Sequence, residues 1–234
     1  MSKREYFAPG QVYHVYNRGV DKRKIFLNEE DHLRFIHNLF EFNDQTPAFN
    51  MGYSFRAVQN KNTPPVKRKT EPRKLLVDIL AFCLMPNHFH LLLRPRVEGG
   101  VTLFMHKLGA GYANYFNLKY ERSGALFQGR YKSVLVNQEP HFIYLPFYIH
   151  LNPLDLVTPE WRNKELKDYK KATKFLESYR WSSYLDYIGK PNFPSVTQRD
   201  FLLKFFEGPQ NYKSQMDWWL KELSLETISD ITLE

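Results

Sequence analysis

An α+β fold built on an antiparallel sheet is what the order of elements in this 234-residue chain predicts. Three observations carry that reading. Apolar alternation and β-forming residues mark strands at Gln11–Asn17, Leu75–Leu84 and Asn87–Arg94. Amphipathic stretches after Asn28 and after Val101 mark helices. The succession β-α-β-β-α-β-α then suggests a sheet with helices on one face, ferredoxin-like (RRM-like) in its order, followed by a C-terminal helical appendage.

The first strand ends at the turn Asn17-Arg18-Gly19. Asn28 is placed to cap a helix running to about Phe42, with Leu33, Ile36, Leu39 and Phe40 as its apolar stripe. Residues 44–74 break the pattern. They contain Pro47, Pro64, Pro65 and Pro72, and from Arg56 to Lys74 they hold seven Lys or Arg against one acid. They read as a basic insertion, with a short strand near Tyr53–Val58. The two strands that follow, joined at Met85-Pro86-Asn87, lead into a helix from Val101 to Tyr120 whose stripe Phe104, Leu108, Tyr112, Tyr115 and Lys119 is core rather than a base-stacking platform. Gly124–Val136 is a loop and strand carrying Arg130 and Lys132 on one face, as a solvated edge or as phosphate contacts.

Glu139-Pro140-His141 opens a further helix, which Asn152-Pro153 ends. Beyond it the chain is charged and helical over Lys164–Tyr179, 199–208 and 211–225. The expected division is a core of residues 1–155 and an extension of 156–234.

Composition narrows the function. Hydrophobic residues make up 43%, a soluble globular content. No segment reaches the roughly 18 uninterrupted apolar residues of a membrane helix, and Met-Ser-Lys-Arg-Glu at the start lacks a signal peptide's apolar run. The expectation is a cytoplasmic protein without membrane attachment. The single Cys83 lies in an apolar strand, which excludes an intramolecular disulfide and makes a core thiol the simplest reading. A net charge of +8 points to a polyanionic partner, and 16% aromatic content offers surfaces for unpaired bases.

The candidate chemistry centres on His88-Phe89-His90. Alternation along a strand puts His88, His90 and Leu92 on one face and Phe89, Leu91 and Leu93 on the other. Two neutral imidazoles so placed are able to share a divalent cation. Asn152 is a candidate third ligand, since an amide oxygen suits Mg2+ or Mn2+. Tyr148 lies one helical turn before it and shares its face. A phenolate is a good nucleophile toward phosphorus, although its free pKa of about 10 calls for a nearby cation. On spacing alone Tyr144 and Tyr131 compete with Tyr148. A zinc hydrolase using His88 and His90 is a weaker alternative, because no further His, Asp or Glu stands at ligand spacing.

Five segments in order extend this reading: Tyr13-His-Val-Tyr-Asn-Arg-Gly19, Met85-Pro-Asn-His-Phe-His-Leu-Leu-Leu93, Gly129-Arg-Tyr-Lys-Ser133, Tyr148-Ile-His-Leu-Asn-Pro153 and Trp181-Ser-Ser-Tyr184. They resemble the successive signatures of single-tyrosine HUH transposases (IS200-like), specifically the REP-associated tyrosine transposase branch, over about residues 6–188. The resemblance implies a metal-dependent endonuclease and strand transferase on single-stranded, hairpin-bearing DNA, expected near the nucleoid as monomer or homodimer. It implies that His88, His90 and Asn152 hold Mg2+ or Mn2+. Tyr148 would attack the scissile phosphate, form a 5′-phosphotyrosine and release a 3′-hydroxyl, conserving the bond energy for rejoining. Arg18, Arg130 and Lys132 are the residues expected to contact DNA. One departure is Pro146, two residues before Tyr148, which removes a helix donor and predicts a kink. It motivates the alternative of a hairpin-binding protein without turnover.

Overall fold

A computed structural model describes residues 6–46, 72–163 and 165–222. The proposed strand at 53–58 and most of the basic insertion lie outside these residues. Four strands, β1 (Val12–Arg18), β2 (Val77–Met85), β3 (His88–Pro95) and β4 (Lys132–Val136), form one sheet in the order β2-β3-β1-β4. Every neighbouring pair is antiparallel. Helix α1 (Glu29–Glu41) connects β1 to β2, and α2 (Gly100–Lys119) connects β3 to β4. This is the predicted ferredoxin-like order.

Side-chain alternation divides the sheet into two chemically different faces. Tyr13 and Val15 of β1, Phe82 and Leu84 of β2, and Phe89, Leu91 and Leu93 of β3 pack against Phe35, Ile36 and Leu39 of α1 and Phe104, Leu108 and Tyr112 of α2. The α1 cap is as expected, with the Asn28 side chain accepting from the Asp31 N–H at 3.1 Å. Its stripe is rotated, however: Phe35 is buried while Leu33 is 41% exposed. Phe35 meets Phe89 and Tyr112, whose ring packing outweighs the spacing that favoured Leu33.

The opposite face presents Val12, Ala81, Cys83, Met85 and Leu92, and it is covered by α3 (Glu139–Leu151) and by helices from the C-terminal part. These are α4 (Tyr169–Ser178), α5 (Tyr184–Tyr187), α6 (Asp200–Phe205) and α7 (Pro209–Glu222). Helix α3 is buried almost all round from Leu145 to Leu151 because it lies between the sheet and those helices. It runs unbroken through Pro146, which is itself buried. The hydrophobic core on this face continues across residue 155, joining Leu145, Leu151 and Leu154 to Leu176, Tyr187, Phe206 and Tyr212.

Strand β2 is an edge, and the C-terminal part satisfies its backbone. Ser183 donates its N–H to Phe82 O at 3.0 Å, Leu84 donates to Trp181 O at 2.9 Å, and Gln198 donates to Ile79 O at 3.0 Å. The hydroxyls of Tyr179 and Tyr187 donate to the carbonyls of Leu84 and Leu80. The Trp181-Ser-Ser-Tyr184 motif therefore closes an edge that would otherwise offer unpaired N–H and C=O groups to other chains. A register shift between Ile79 and Ala81 turns Leu80 and Ala81 both toward the α3 side.

Candidate active site

Antiparallel register builds the site. Tyr16 of β1 lies opposite His90, Arg18 opposite His88 and His14 opposite Leu92, so these side chains share the face that α3 covers. On β2, Cys83 and Met85 sit opposite His90 and His88. His88 and His90 are arranged edge to face, with ring centroids 5.0 Å apart.

Each imidazole is oriented by a partner. His88 Nδ1 is 2.7 Å from the Asn87 side-chain oxygen, which only accepts, so Nδ1 carries the proton and Nε2 is left as the lone pair. His90 Nδ1 is 2.9 Å from His14 Nε2, and the two rings stack at 5.1 Å. A proton on His90 Nδ1 leaves Nε2 of His90 as a lone pair, buried and without a hydrogen-bond partner among the described residues. His88 is thus set to present Nε2, and His90 presents its own Nε2 in the tautomer in which His14 Nε2 accepts.

Electrostatics favour the ligating form. Burial depresses the His88 pKa to about 4; Asp155 opposes the shift, while Arg162 and Arg18 reinforce it. His90 is held well below the ordinary histidine value, first by burial and then by His88, His14 and Arg162. Both are neutral at pH 7, as metal ligands must be.

From α3, the Tyr148 ring approaches His90 edge-on at 5.7 Å and His14 at 6.4 Å. Asn152, one turn later, donates from Nδ2 to the Tyr148 carbonyl at 2.8 Å. Its Oδ1 accepts a long bond of 3.4 Å from Arg162 Nη2. Arg162 lies on the 3-10 segment Pro159–Asn163, holds the Asp155 carboxylate through two bonds of 2.8 and 2.6 Å, and places its guanidinium 5.5 Å from the Tyr148 ring centroid.

Among the described residues no three His, Cys, Asp or Glu side chains are grouped to hold a metal ion. Two neutral imidazoles on one strand face and an Asn oxygen on the facing helix make a donor set that fits a divalent cation.

The tyrosine competition is also narrowed. Tyr144 packs on Trp219 at 3.8 Å and Tyr131 lies 6.5 Å from Phe7, so neither ring is among those against the histidines. Tyr16, which spacing did not single out, lies 4.9 Å from His14 and 6.0 Å from His90, and burial raises its pKa. Tyr148 is only 1% exposed and its hydroxyl is buried. Any solute would need a local opening to reach it.

Of the expected DNA contacts, Arg18 is half-buried opposite His88. Lys132 is exposed on β4 opposite Tyr16, and Arg130 is exposed just before that strand. His14, Asp155 and Arg162 were missed. The signal for His14 was its place on the same face as Tyr16; Asp155 and Arg162 lie beyond the helix and have no periodic signature.

Residues 69–152 match the family model described as "Transposase IS200 like". No curated protein matches the chain. A solved structure, "Structure of the REP associates tyrosine transposase bound to a REP hairpin", is similar at 11% identity and a TM-score of 0.45, over 84% of this chain and 90% of that one.

Proposed function

We propose that this chain, matched over residues 69–152 by the IS200-like transposase family, is an endonuclease and strand transferase that cuts single-stranded, hairpin-bearing DNA through Tyr148. The observation that carries the proposal is the meeting of α3 and β3, with the Tyr148 ring against His90 and Asn152 one turn away. The hairpin substrate rests on the five-motif resemblance.

His88, His90 and Asn152 would hold Mg2+ or Mn2+, which when bound neutralises charge on the scissile phosphate and favours phenolate attack. The remaining work belongs to the chain. Asn87 and His14 fix the imidazole orientations. Arg162 lies over the Tyr148 ring and is anchored by Asp155, which would hold a fixed positive charge beside a phosphate brought to the tyrosine. Tyr148 Oη loses its proton and bonds to phosphorus as the bond from phosphorus to the 3′ oxygen breaks; the 3′ oxygen takes up a proton. The product is a 5′-phosphotyrosine and a free 3′-hydroxyl, and reversal against a different 3′-hydroxyl gives strand transfer.

The test is to incubate the protein with a single-stranded hairpin oligonucleotide and Mn2+ and to look for a denaturant-resistant covalent adduct. The adduct is expected from the native chain and from Tyr16→Phe, and it is expected to vanish in Tyr148→Phe. Persistence in Tyr148→Phe would move the nucleophile elsewhere, with Tyr16 next in line. Burial of the Tyr148 hydroxyl favours a second reading, a hairpin-binding protein without turnover, which predicts tight binding and no adduct.

A further inference from the structure

We propose that the loop Gly19–Lys24 is a phosphate clamp for the DNA strand leaving the His88 end of the site, with Lys22 and Lys24 as its contacts. The proposal rests on the reading that the chain acts on single-stranded DNA. Its starting point is backbone strain. Asp21 and Lys22 have φ of 54° and 56°, consecutive left-handed residues without glycine. Such conformations persist only where the surroundings over-determine them, and they cluster at ligand clamps.

Here the surroundings are the residues that carry His88. Gly19 donates its N–H to Asn87 O at 2.8 Å, and the Asn87 amide donates to Lys22 O at 3.3 Å. Ile25 and Phe26 both donate to Pro86 O, at 2.8 and 3.1 Å. Within the loop, Lys22 and Arg23 donate to Gly19 O and Val20 O, each at 3.1 Å. A Cβ at Gly19 would run into the Arg23 carbonyl, so the entry admits only glycine. The loop and the turn before His88 form one hydrogen-bonded unit.

Charge supplies the ligand chemistry. Arg23 is folded onto the loop, donating from Nε to Val20 O at 3.3 Å. Lys22 and Lys24 remain exposed, and neither they nor Arg18 take part in any ion pair among the described residues. Gln128 donates to Arg18 O at 2.8 Å and Asn17 donates to Gly129 O at 3.3 Å, which brings the segment bearing Arg130 and Lys132 to the same end of the sheet. Positive charge from two stretches of sequence, 18–24 and 130–132, therefore meets at one rim, on a backbone held by hydrogen bonds to the turn before His88. A chain of phosphodiesters is the ligand that fits.

The experiment uses the full chain with Lys22→Asn and Lys24→Gln together. Asn is neutral and tolerates positive φ, so the loop keeps its conformation. Binding of a hairpin oligonucleotide with a single-stranded tail is followed over a salt titration. Loss of two phosphate contacts is expected to reduce the slope of log K against log salt by about 1.4, taking roughly 0.7 per contact on a single strand. Lys24→Gln alone is expected to reduce it by about 0.7, which keeps the test intact if the Lys22 variant folds poorly. Lys204→Gln, on α6 at the far end of β3, is expected to leave it unchanged. An unchanged slope in the double variant overturns the clamp, whatever the adduct assay shows. A reduced slope with no Tyr148-dependent adduct keeps the clamp and removes the cleavage reading.

Discussion

At the scale of single residues, the candidate site depends on groups that touch His88 and His90. His14 is fully buried and hydrogen-bonded to His90, so under the proposed function it would orient His90 toward a bound cation. His14→Ala is expected to weaken Mn2+ binding by about 10–100-fold, the usual effect of removing a partner that orients a ligand. Titration calorimetry reads this directly, and undiminished affinity would show that packing alone orients His90. Alternation along one strand was enough to place His88 and His90 together, and the i, i+4 rule was enough to pair Tyr148 with Asn152. The bond between His14 and His90 was not legible, because it requires the register of β1 on β3, set 76 residues away in sequence. Arg162 was invisible for a related reason, since a 3-10 segment after a helix end gives no period from which a facing side chain can be inferred.

Among elements, α3 is pinned from behind by its own motif. His150, fully buried, bonds through Nδ1 to the Tyr212 hydroxyl on α7 at 2.7 Å and through Nε2 to Ser183 Oγ at 2.8 Å. Ser183 Oγ also accepts from Phe82 N at 2.9 Å, so one small network ties the tyrosine helix, α7 and the edge of β2 together. Removing the hydroxyl in Tyr212→Phe leaves a buried imidazole nitrogen unpaired, at a cost of about 1–3 kcal/mol. Thermal denaturation is expected to show a lower midpoint, and an unchanged midpoint would mean that the network relaxes. This explains a part of the Tyr148-Ile-His-Leu-Asn-Pro153 motif that the chemistry does not use. It also explains how α3 tolerates Pro146: with packing on every side from Leu145 to Leu151, one absent backbone bond does not decide the helix.

For the whole molecule, the buried neutral histidines set an acid limit. Burial lowers His150 to about 3 and His88 to about 4, against an ordinary value near 6.5. Between pH 6.5 and 4 the unfolded chain binds protons that the folded chain does not, so stability falls as pH falls through that window and is unaffected above it. At pH 5 each histidine costs about 2 kcal/mol relative to neutral pH. A metal-free sample should therefore melt earlier at pH 5 than at pH 7.5, and equal midpoints would contradict the burial. Charge acts at the same scale. Residues 47–71 hold five Lys or Arg against one acid, and deleting them is expected to flatten the salt dependence of DNA binding if they track the backbone. An unchanged slope would exclude residues 47–71 as a source of phosphate contacts.

The sequence by itself determined the fold class, the face shared by His88 and His90, and the pairing of Tyr148 with Asn152, because strand and helix periods are local properties of the chain. Only the tertiary structure decided that His14 holds His90, that Arg162 lies on Tyr148, and that the C-terminal helices close both the edge of β2 and the back of α3. Those contacts join segments far apart along the chain, and their geometry comes from sheet register and packing rather than from any period within one segment.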